Sequence, residues 1–164
     1  MSELTGPRQV ILVSSRARPE IMGKEIERDN IITLAWHMPV SFEPQLYAIA
    51  IGKTRFSCKM IQESKAFVVN FIPKELEKQA MFCGTNSGLH IDKFQKTRLT
   101  MEESETIDCP RIKEAIAYME CEVVDEIEAG DHMIFIGKVK NSNSKGIVNR
   151  LFQGNNKEFT TTES

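Results

Sequence analysis

The chain has 164 residues, of which 41% are apolar and 27% are charged, and its formal net charge is −2 at pH 7. This length is typical of a single domain, here 1–164, with a substantial core, and the near-neutral charge gives no general attraction to nucleic acid or to an anionic membrane. Because no apolar run reaches the roughly 18 to 20 residues of a membrane span and the first ten residues lack a signal-peptide core, we expect a cytoplasmic protein without membrane or nucleic-acid partners.

Short apolar runs rich in β-branched residues dominate the first half of the chain, and turn-forming residues separate them. Such runs are typical of strands. The predicted strands cover residues 10–15, 32–36, 46–51 and 67–72. Further along, residues 117–128 and 132–144 alternate apolar with polar side chains on either side of Gly130, which predicts a long antiparallel hairpin.

Helical patterns are fewer and shorter than the strand patterns. Residues 55–64 place Phe56, Met60 and Ile61 on one face, which predicts an amphipathic helix. Two more helical segments are predicted at 74–82, after Pro73, and at 110–116. Six or more strands with few short helices indicate a mainly β fold, an antiparallel barrel rather than a doubly wound sheet. The barrel core is expected at about 7–154, followed by a flexible tail at 155–164.

The four cysteines show no metal-ligand spacing, since none lies in a CxxC pair or close to a histidine. The sequence therefore predicts no metal site, and free, buried thiols in a reducing compartment. Cys83 is distinguished by its position before the polar, glycine-rich segment GTNSG. The common nucleotide-binding patterns GxxxxGK[ST] and GxGxxG and the hydrolase pattern GxSxG are all absent from the chain.

The segment GKTRFS, at 52–57, joins a predicted strand to a predicted helix and suggests an anion site. Gly52 allows close approach of the backbone to a ligand, and Thr54 occupies the expected N-cap. The first helical turn offers unpaired N–H groups, Arg55 a forked contact, and Lys53 and Ser57 a charge and a hydroxyl. A surface helix with ordinary exposed charges is the alternative, and this segment alone does not decide between the two.

Three segments taken together resemble the flavin reductase-like family of FMN-binding split-barrel proteins, which includes flavoredoxins. They are residues 30–71, beginning NIITLAW, residues 82–94, FCGTNSGLHIDKF, and residues 121–139, which contain GDH. The resemblance extends over about 7–154. It implies a six-stranded antiparallel split barrel that forms a homodimer and holds FMN near the dimer interface.

The resemblance also implies which residues contact FMN. The phosphate contacts match Lys53, Thr54, Arg55 and Ser57, next to Gly52. The segment beside the isoalloxazine matches Thr33, Leu34, Ala35 and Trp36, and the loop over the ring contains Cys83, Gly84, Ser87, Asp92 and Lys93.

Two residues are candidates for a catalytic contribution. A cation near the flavin N1/O2 edge favours hydride acceptance, and the motif position suggests Lys93 for this role. Within the GDH signature, His132 is implied to contact the nicotinamide of a donor. A solvated loop lysine and a structural histidine are the respective alternatives.

The prediction is an FMN-binding oxidoreductase that accepts reducing equivalents from NADH or NADPH, or a related donor, and passes them to a redox partner. A noncatalytic FMN electron carrier, an FMN-dependent reductase of ferric complexes or another substrate, and a barrel for another phosphorylated or planar ligand are alternatives. The sequence leaves open the physiological donor and acceptor, and whether the flavin is a prosthetic group or a released substrate. It also leaves open a redox role for Cys83.

Overall fold

Strands make up most of the structure, a computed structural model that describes residues 2–146, 149–154 and 158–161. In chain order the strands are β1 (Arg8–Gln9), β2 (Ile11–Ala17), β3 (Glu20–Ile21), β4 (Lys24–Glu25), β5 (Arg28–Leu34), β6 (His37–Ser41), β7 (Leu46–Gly52), β8 (Ala66–Phe71), β9 (Met101–Glu103), β10 (Pro110–Ile112), β11 (Ala117–Ala129), β12 (His132–Ser144), β13 (Leu151–Gln153) and β14 (Phe159–Thr161). The helices are α1 (Ser2–Thr5), α2 (Phe56–Ser64), α3 (Glu77–Thr85) and α4 (Lys93–Thr97), and a 3-10 turn covers Lys74–Leu76. The mainly β class predicted from the sequence is confirmed.

Seven of the described strands form one antiparallel sheet in the order β5-β2-β8-β11-β12-β7-β6. The sheet curls into a split barrel that does not close, and it has one strand more than the predicted six. β5 and β6 are the two edge strands of this sheet, and the chain crosses directly from one to the other. At the crossing the amide of Ala50 in β7 donates to the carbonyl of Trp36 at 3.0 Å. The end of β5 thus comes close to β7 without pairing with it along its length, and the gap between them is an open seam.

Two apolar clusters hold this sheet, one on each face. Inside the barrel, Phe67 and Phe135 pack among side chains from β2, β5 and β7. Outside it, Leu12 and Ile31 pack against α3, α4 and β13. Successive residues of β2 alternate between the two clusters, because side chains of a strand point to opposite faces. This explains why the run 10–13, at the start of β2, is apolar without interruption.

The helical predictions require three corrections. Helix α2 begins after Arg55, so Arg55 and not Thr54 is the N-cap residue. The segment 74–82 is divided into the 3-10 turn and α3, which continues past Cys83 to Thr85. The third segment, 110–116, contains strand β10 rather than a helix, because pairing with β9 and a bond from the amide of Ile112 to Asn70 Oδ1, at 3.0 Å, override the local helical pattern.

The hairpin of β11 and β12 is confirmed, with Gly130 at its turn in a left-handed conformation, φ +59°. Within the segment predicted as a tail, β14 pairs with β13, while 155–157 and 162–164 lie outside the described residues. No described helix is both long enough and apolar enough to cross a membrane. Across the described ranges, no three His, Cys, Asp or Glu side chains are grouped as metal ligands.

Candidate functional site

A cavity of about 90 Å³, the Arg55 pocket, lies at the start of α2, beside the seam of the barrel. It is lined by Ile32, Thr54, Arg55, Phe56, Ser57, Cys83, Gly84, Asn86, Ser87, Gly88 and Lys93. Strand β5 and the start of α2 with the two residues before it supply one wall, and the end of α3, the following loop and the start of α4 supply the other. Most of the predicted phosphate contacts therefore meet in one small cavity.

A second cavity of about 210 Å³, the Trp36 pocket, continues from the first along the seam. Its lining is Ile32, Thr33, Leu34, Ala35, Trp36, Ala50, Gly52, Arg55, Gly84, His132 and Gln153. Ile32, Arg55 and Gly84 line both cavities. The two pockets thus form one elongated site with a polar end at α2 and a flat end at Trp36.

Phe56 and Ser57, the first two residues of α2, line the Arg55 pocket, while the amide of Cys58 donates to the carbonyl of Arg55 at 3.0 Å. No side chain caps this helix, and the amide of Arg55 donates to the carbonyl of Gly52 at 2.9 Å. The first-turn N–H groups of a helix have no intrahelical acceptor, and they carry the positive end of the helix dipole. An anion in the pocket would accept hydrogen bonds from free N–H groups of this turn and interact favourably with the helix dipole.

Lys93 is a buried cation at the back of the Arg55 pocket, only 3% exposed. Its Nζ donates to the carbonyl oxygens of Ile31, at 2.6 Å, and Cys83, at 2.8 Å, which leaves a third N–H for a ligand. Burial, together with the nearby charge of Arg55, lowers the pKa of Lys93 to about 8. Among the described residues no carboxylate forms an ion pair with Lys93 or Arg55, so the pocket has an uncompensated positive charge.

The flat end of the site is formed by Trp36 and His132. Their rings stack with centroids 4.7 Å apart, and Trp36 is 40% exposed. Nδ1 of His132 lies 2.6 Å from Oδ1 of Asp131. On its other side the imidazole faces Gly52, where an added Cβ would stand 3.9 Å from Nε2.

Two of the predicted contact residues, Lys53 and Asp92, lie outside both pockets, whereas a third, Cys83, lines the Arg55 pocket. Lys53 forms an ion pair with Glu128 and lines neither pocket. Asp92 caps α4, accepting a bond from the amide of Gln95 at 3.0 Å. Burial raises the pKa of the Cys83 thiol to about 11, which gives this cysteine little thiolate character.

Lys93 lines the Arg55 pocket and not the Trp36 pocket, because its ammonium is held by carbonyls of β5 and α3. Its predicted place beside the flavin ring stays a prediction. The polar hydroxyl of Thr33 is likewise turned to the protein, donating to the carbonyl of Ala80 at 2.6 Å. Leu34 and Ala35 line the Trp36 pocket as expected.

Sequence reasoning missed Asn30 and Gly88. Asn30 is buried and donates from Nδ2 to the hydroxyl of Ser57 at 2.7 Å. Gly88 lies directly against this amide, since an added Cβ would come within 2.0 Å of Oδ1 of Asn30. The available signal was a polar residue, Asn30, directly before the apolar run IITL. The sequence does not show that its partner is Ser57, 27 residues away.

Comparison with known proteins identifies relatives over most of the chain. The model of the family described as flavin reductase like domain matches residues 4–154. A protein from Archaeoglobus fulgidus is 42% identical over 114 residues, which cover 70% of this chain and 64% of that protein. The reductase component of a flavin-dependent trigonelline monooxygenase from Acinetobacter baylyi is 30% identical over 109 residues, covering 66% of this chain and 33% of the relative. The matched part spans less than two thirds of each of these relatives.

Solved structures share the fold at low sequence identity. Flavoredoxin of Desulfovibrio vulgaris superposes with a TM-score of 0.84 and 22% identity, covering 98% of this chain and 89% of that one. An FMN-binding protein from Thermus thermophilus gives a TM-score of 0.84 and 21% identity, with 97% and 88% coverage. Flavin reductase PheA2 gives 0.78 and 24%, with 100% and 94% coverage. The fold and the match over 4–154 lead to one conclusion: the chain belongs to the flavin reductase-like family.

Proposed function

We propose that the protein binds FMN along the joined pockets and works as an oxidoreductase that takes reducing equivalents from NADH or NADPH. The single observation that carries this proposal is the pair of cations Arg55 and Lys93, which lie at the start of α2 without a carboxylate partner among the described residues. Two like charges side by side are unfavourable unless an anion joins them. A phosphate monoester meets that requirement.

The polar end fits a phosphate by the chemistry of its donors. Arg55 offers a forked guanidinium, Lys93 its third N–H, and α2 its first-turn amides. Thr54 and Ser57 line the same cavity and add hydroxyl groups. Together these groups neutralise the dianion and hydrogen-bond its oxygens.

The flat end fits a planar ring by its shape. Residues 33–36 run along the Trp36 pocket, and the stacked rings of Trp36 and His132 form one side of it. When bound, FMN supplies hydride and single-electron transfer, chemistry that no side chain here provides. The protein orients the ring, limits water access, and offers Nε2 of His132 to a second substrate, since Nδ1 is bonded to Asp131.

Two similar proteins support redox work with a flavin. They are the reductase component of a monooxygenase, at 30% identity, and a flavin reductase, PheA2, of the same fold. A carrier that receives electrons from another protein, as the name flavoredoxin suggests for the Desulfovibrio protein, is the alternative within the same site. The electron donor, a nicotinamide or another protein, distinguishes the oxidoreductase from the carrier.

We also propose a homodimer built on the edge strand β6, with 1–164 as one domain in the cytoplasm. Met38, Val40 and Phe42, on and just after this strand, are 60%, 43% and 99% exposed, and an apolar groove of about 400 Å³ lies beside them, between Trp36 and Ile134. Exposed apolar patches of this kind mark interaction surfaces. The four unpaired, buried cysteines support a reducing compartment.

The test begins with colour. Protein incubated with FMN and then desalted should keep a flavin absorbance spectrum, and protein that emerges colourless contradicts FMN binding. Anaerobic stopped-flow mixing of the loaded protein with NADH, and separately with NADPH, then follows bleaching of that spectrum. Bleaching by either nicotinamide supports the oxidoreductase, whereas a coloured protein that neither one reduces is a carrier.

A further inference from the structure

The buried side-chain amide of Asn30 lies next to the Arg55 pocket and is hydrogen-bonded to a hydroxyl group that lines the pocket, that of Ser57. Asn30 in β5 is 1% exposed and Ser57 in α2 is 3% exposed, and Nδ2 of Asn30 donates to Oγ of Ser57 at 2.7 Å. Ser57 lines the pocket, but Asn30 does not. Asn30 therefore acts on a ligand only through residues that line the pocket, and Ser57 is the one to which it is hydrogen-bonded.

The direction of this bond determines what Ser57 offers the pocket. A serine hydroxyl has one proton and two acceptor lone pairs. Because Asn30 donates to Ser57, the proton of Ser57 is not used in this bond, and no described residue accepts it. The proton is thus available to an acceptor in the pocket, between Arg55 and Lys93.

The amide oxygen of Asn30 and its neighbour Gly88 show that the side chain of Asn30 is held in one position. Oδ1 of Asn30 is buried and has no hydrogen-bond partner among the described residues. Such unpaired acceptors are uncommon in folded proteins and call for a specific explanation. Gly88 packs so closely on Oδ1 that any side chain would displace the amide.

We propose that Asn30 is a positioning residue, which fixes Ser57 as a hydrogen-bond donor to the phosphate of the ligand. The proposal rests on the proposed FMN site and deepens it. Turning the amide over would place Oδ1 against Ser57, which would then donate to Asn30 and present only lone pairs to an anion. Asn30 thereby favours a ligand with a phosphate over the same ring without one.

The test compares FMN with riboflavin, which lacks the phosphate, by fluorescence titration. Loss of a hydrogen bond to a charged group predicts that Ser57→Ala weakens FMN binding roughly ten- to a hundredfold, and Asn30→Ala roughly two- to tenfold, with riboflavin affinity unchanged. In the double variant, Asn30→Ala should add nothing to Ser57→Ala. Asn30→Asp should weaken FMN more than Asn30→Ala, because a carboxylate captures the proton of Ser57.

A matched control is Asn70→Ala, which removes another buried amide from the same sheet, bonded to Leu12 and Ser14. It should lower the melting temperature but leave the ratio of FMN to riboflavin affinity unchanged. If Asn30→Ala does not fold, Gly88→Ala displaces the amide of Asn30 instead. Because Gly88 itself lines the pocket, this variant is measured with and without Ser57→Ala, and an FMN-selective loss that disappears in the Ser57→Ala background supports the proposal.

Three results overturn the inference while FMN binding itself stands. The first is an equal loss of FMN and riboflavin affinity in Asn30→Ala or Gly88→Ala, and the second is an additive loss in the double variant. The third is an unchanged FMN affinity in Asn30→Ala. Wild-type protein that binds neither ligand overturns the proposed function along with it. Wild-type titrations therefore come first and separate the two failures.

Discussion

The imidazole of His132 stacks on the indole of Trp36, with centroids 4.7 Å apart and planes inclined by 28°. The two residues come from opposite sides of the seam, one at the start of β12 and the other just after β5. Asp131 holds Nδ1 of the imidazole at 2.6 Å. The stack therefore sets the orientation of His132 at the flat end of the site, where a second substrate would approach.

His132→Ala should slow reduction of the FMN-loaded protein by NADH or NADPH, or raise the apparent KM, by roughly ten- to a hundredfold if one hydrogen bond to a charged group is lost. FMN affinity should stay close to that of the wild type. Stopped-flow kinetics and a melting curve measure the two effects. His90→Ala, an exposed histidine outside both pockets, is the control. A His132 variant that melts earlier but is reduced at the normal rate shows that this histidine is structural.

Arg55→Ala should weaken FMN binding by roughly ten- to a hundredfold, because a charge-assisted hydrogen bond to the phosphate is removed. Riboflavin binding should be nearly unchanged. Lys53→Ala is a matched control, since Lys53 precedes Arg55 by two residues but pairs with Glu128 instead of facing the pocket. Titration of both ligands against both variants checks the assignment, and an equal loss for FMN and riboflavin would place Arg55 away from the phosphate.

Lys93 should make FMN binding depend on pH. Burial lowers the pKa of Lys93 to about 8, and a phosphate dianion would raise it again by favouring the charged ammonium. FMN affinity should therefore fall as pH rises above about 8, by at most about tenfold per pH unit, with proton uptake on binding. Calorimetry in buffers of different ionisation enthalpy measures that uptake. Riboflavin should show neither effect, and a pH-independent FMN affinity between pH 7 and 10 contradicts the prediction.

The same pKa has a consequence for the free protein. The ordinary pKa of a lysine is 10.5, so between about 8 and 10.5 the unfolded chain binds more protons at Lys93 than the folded chain. The contribution of Lys93 to the free energy of unfolding therefore rises with pH through this window. Bound FMN should reduce that rise, which urea titrations with and without FMN would reveal.

The assembly should be a homodimer, so light scattering is expected to report twice the 18.7 kDa chain mass. Val40→Asp, on the exposed edge strand β6, should shift the protein toward the monomer by placing a charge in an apolar interface. Met22→Asp alters a methionine that is 99% exposed in the turn between β3 and β4 and should leave the mass unchanged. A wild-type monomer that binds FMN tightly would contradict the β6 interface.

Local sequence determined much of the fold and the anion end of the site. Period-two alternation and Gly130 specified the long hairpin, because side-chain direction and turn geometry are local properties of a strand pair. The order strand, glycine, basic and hydroxyl residues, helix predicted that Arg55 and Ser57 lie together at a helix start, and both line one cavity there.

Tertiary structure alone decided which polar side chains line the two pockets. Lys53 and Lys93 are alike in sequence terms, but the first meets Glu128 from β11, 75 residues away, and the second is enclosed by carbonyls of β5 and α3. Asn30 meets its hydrogen-bond partner Ser57 only where β5 and α2 pack together. These outcomes depend on the register of strands far apart in sequence, and side-chain burial and partners are set by that register, which no local pattern encodes.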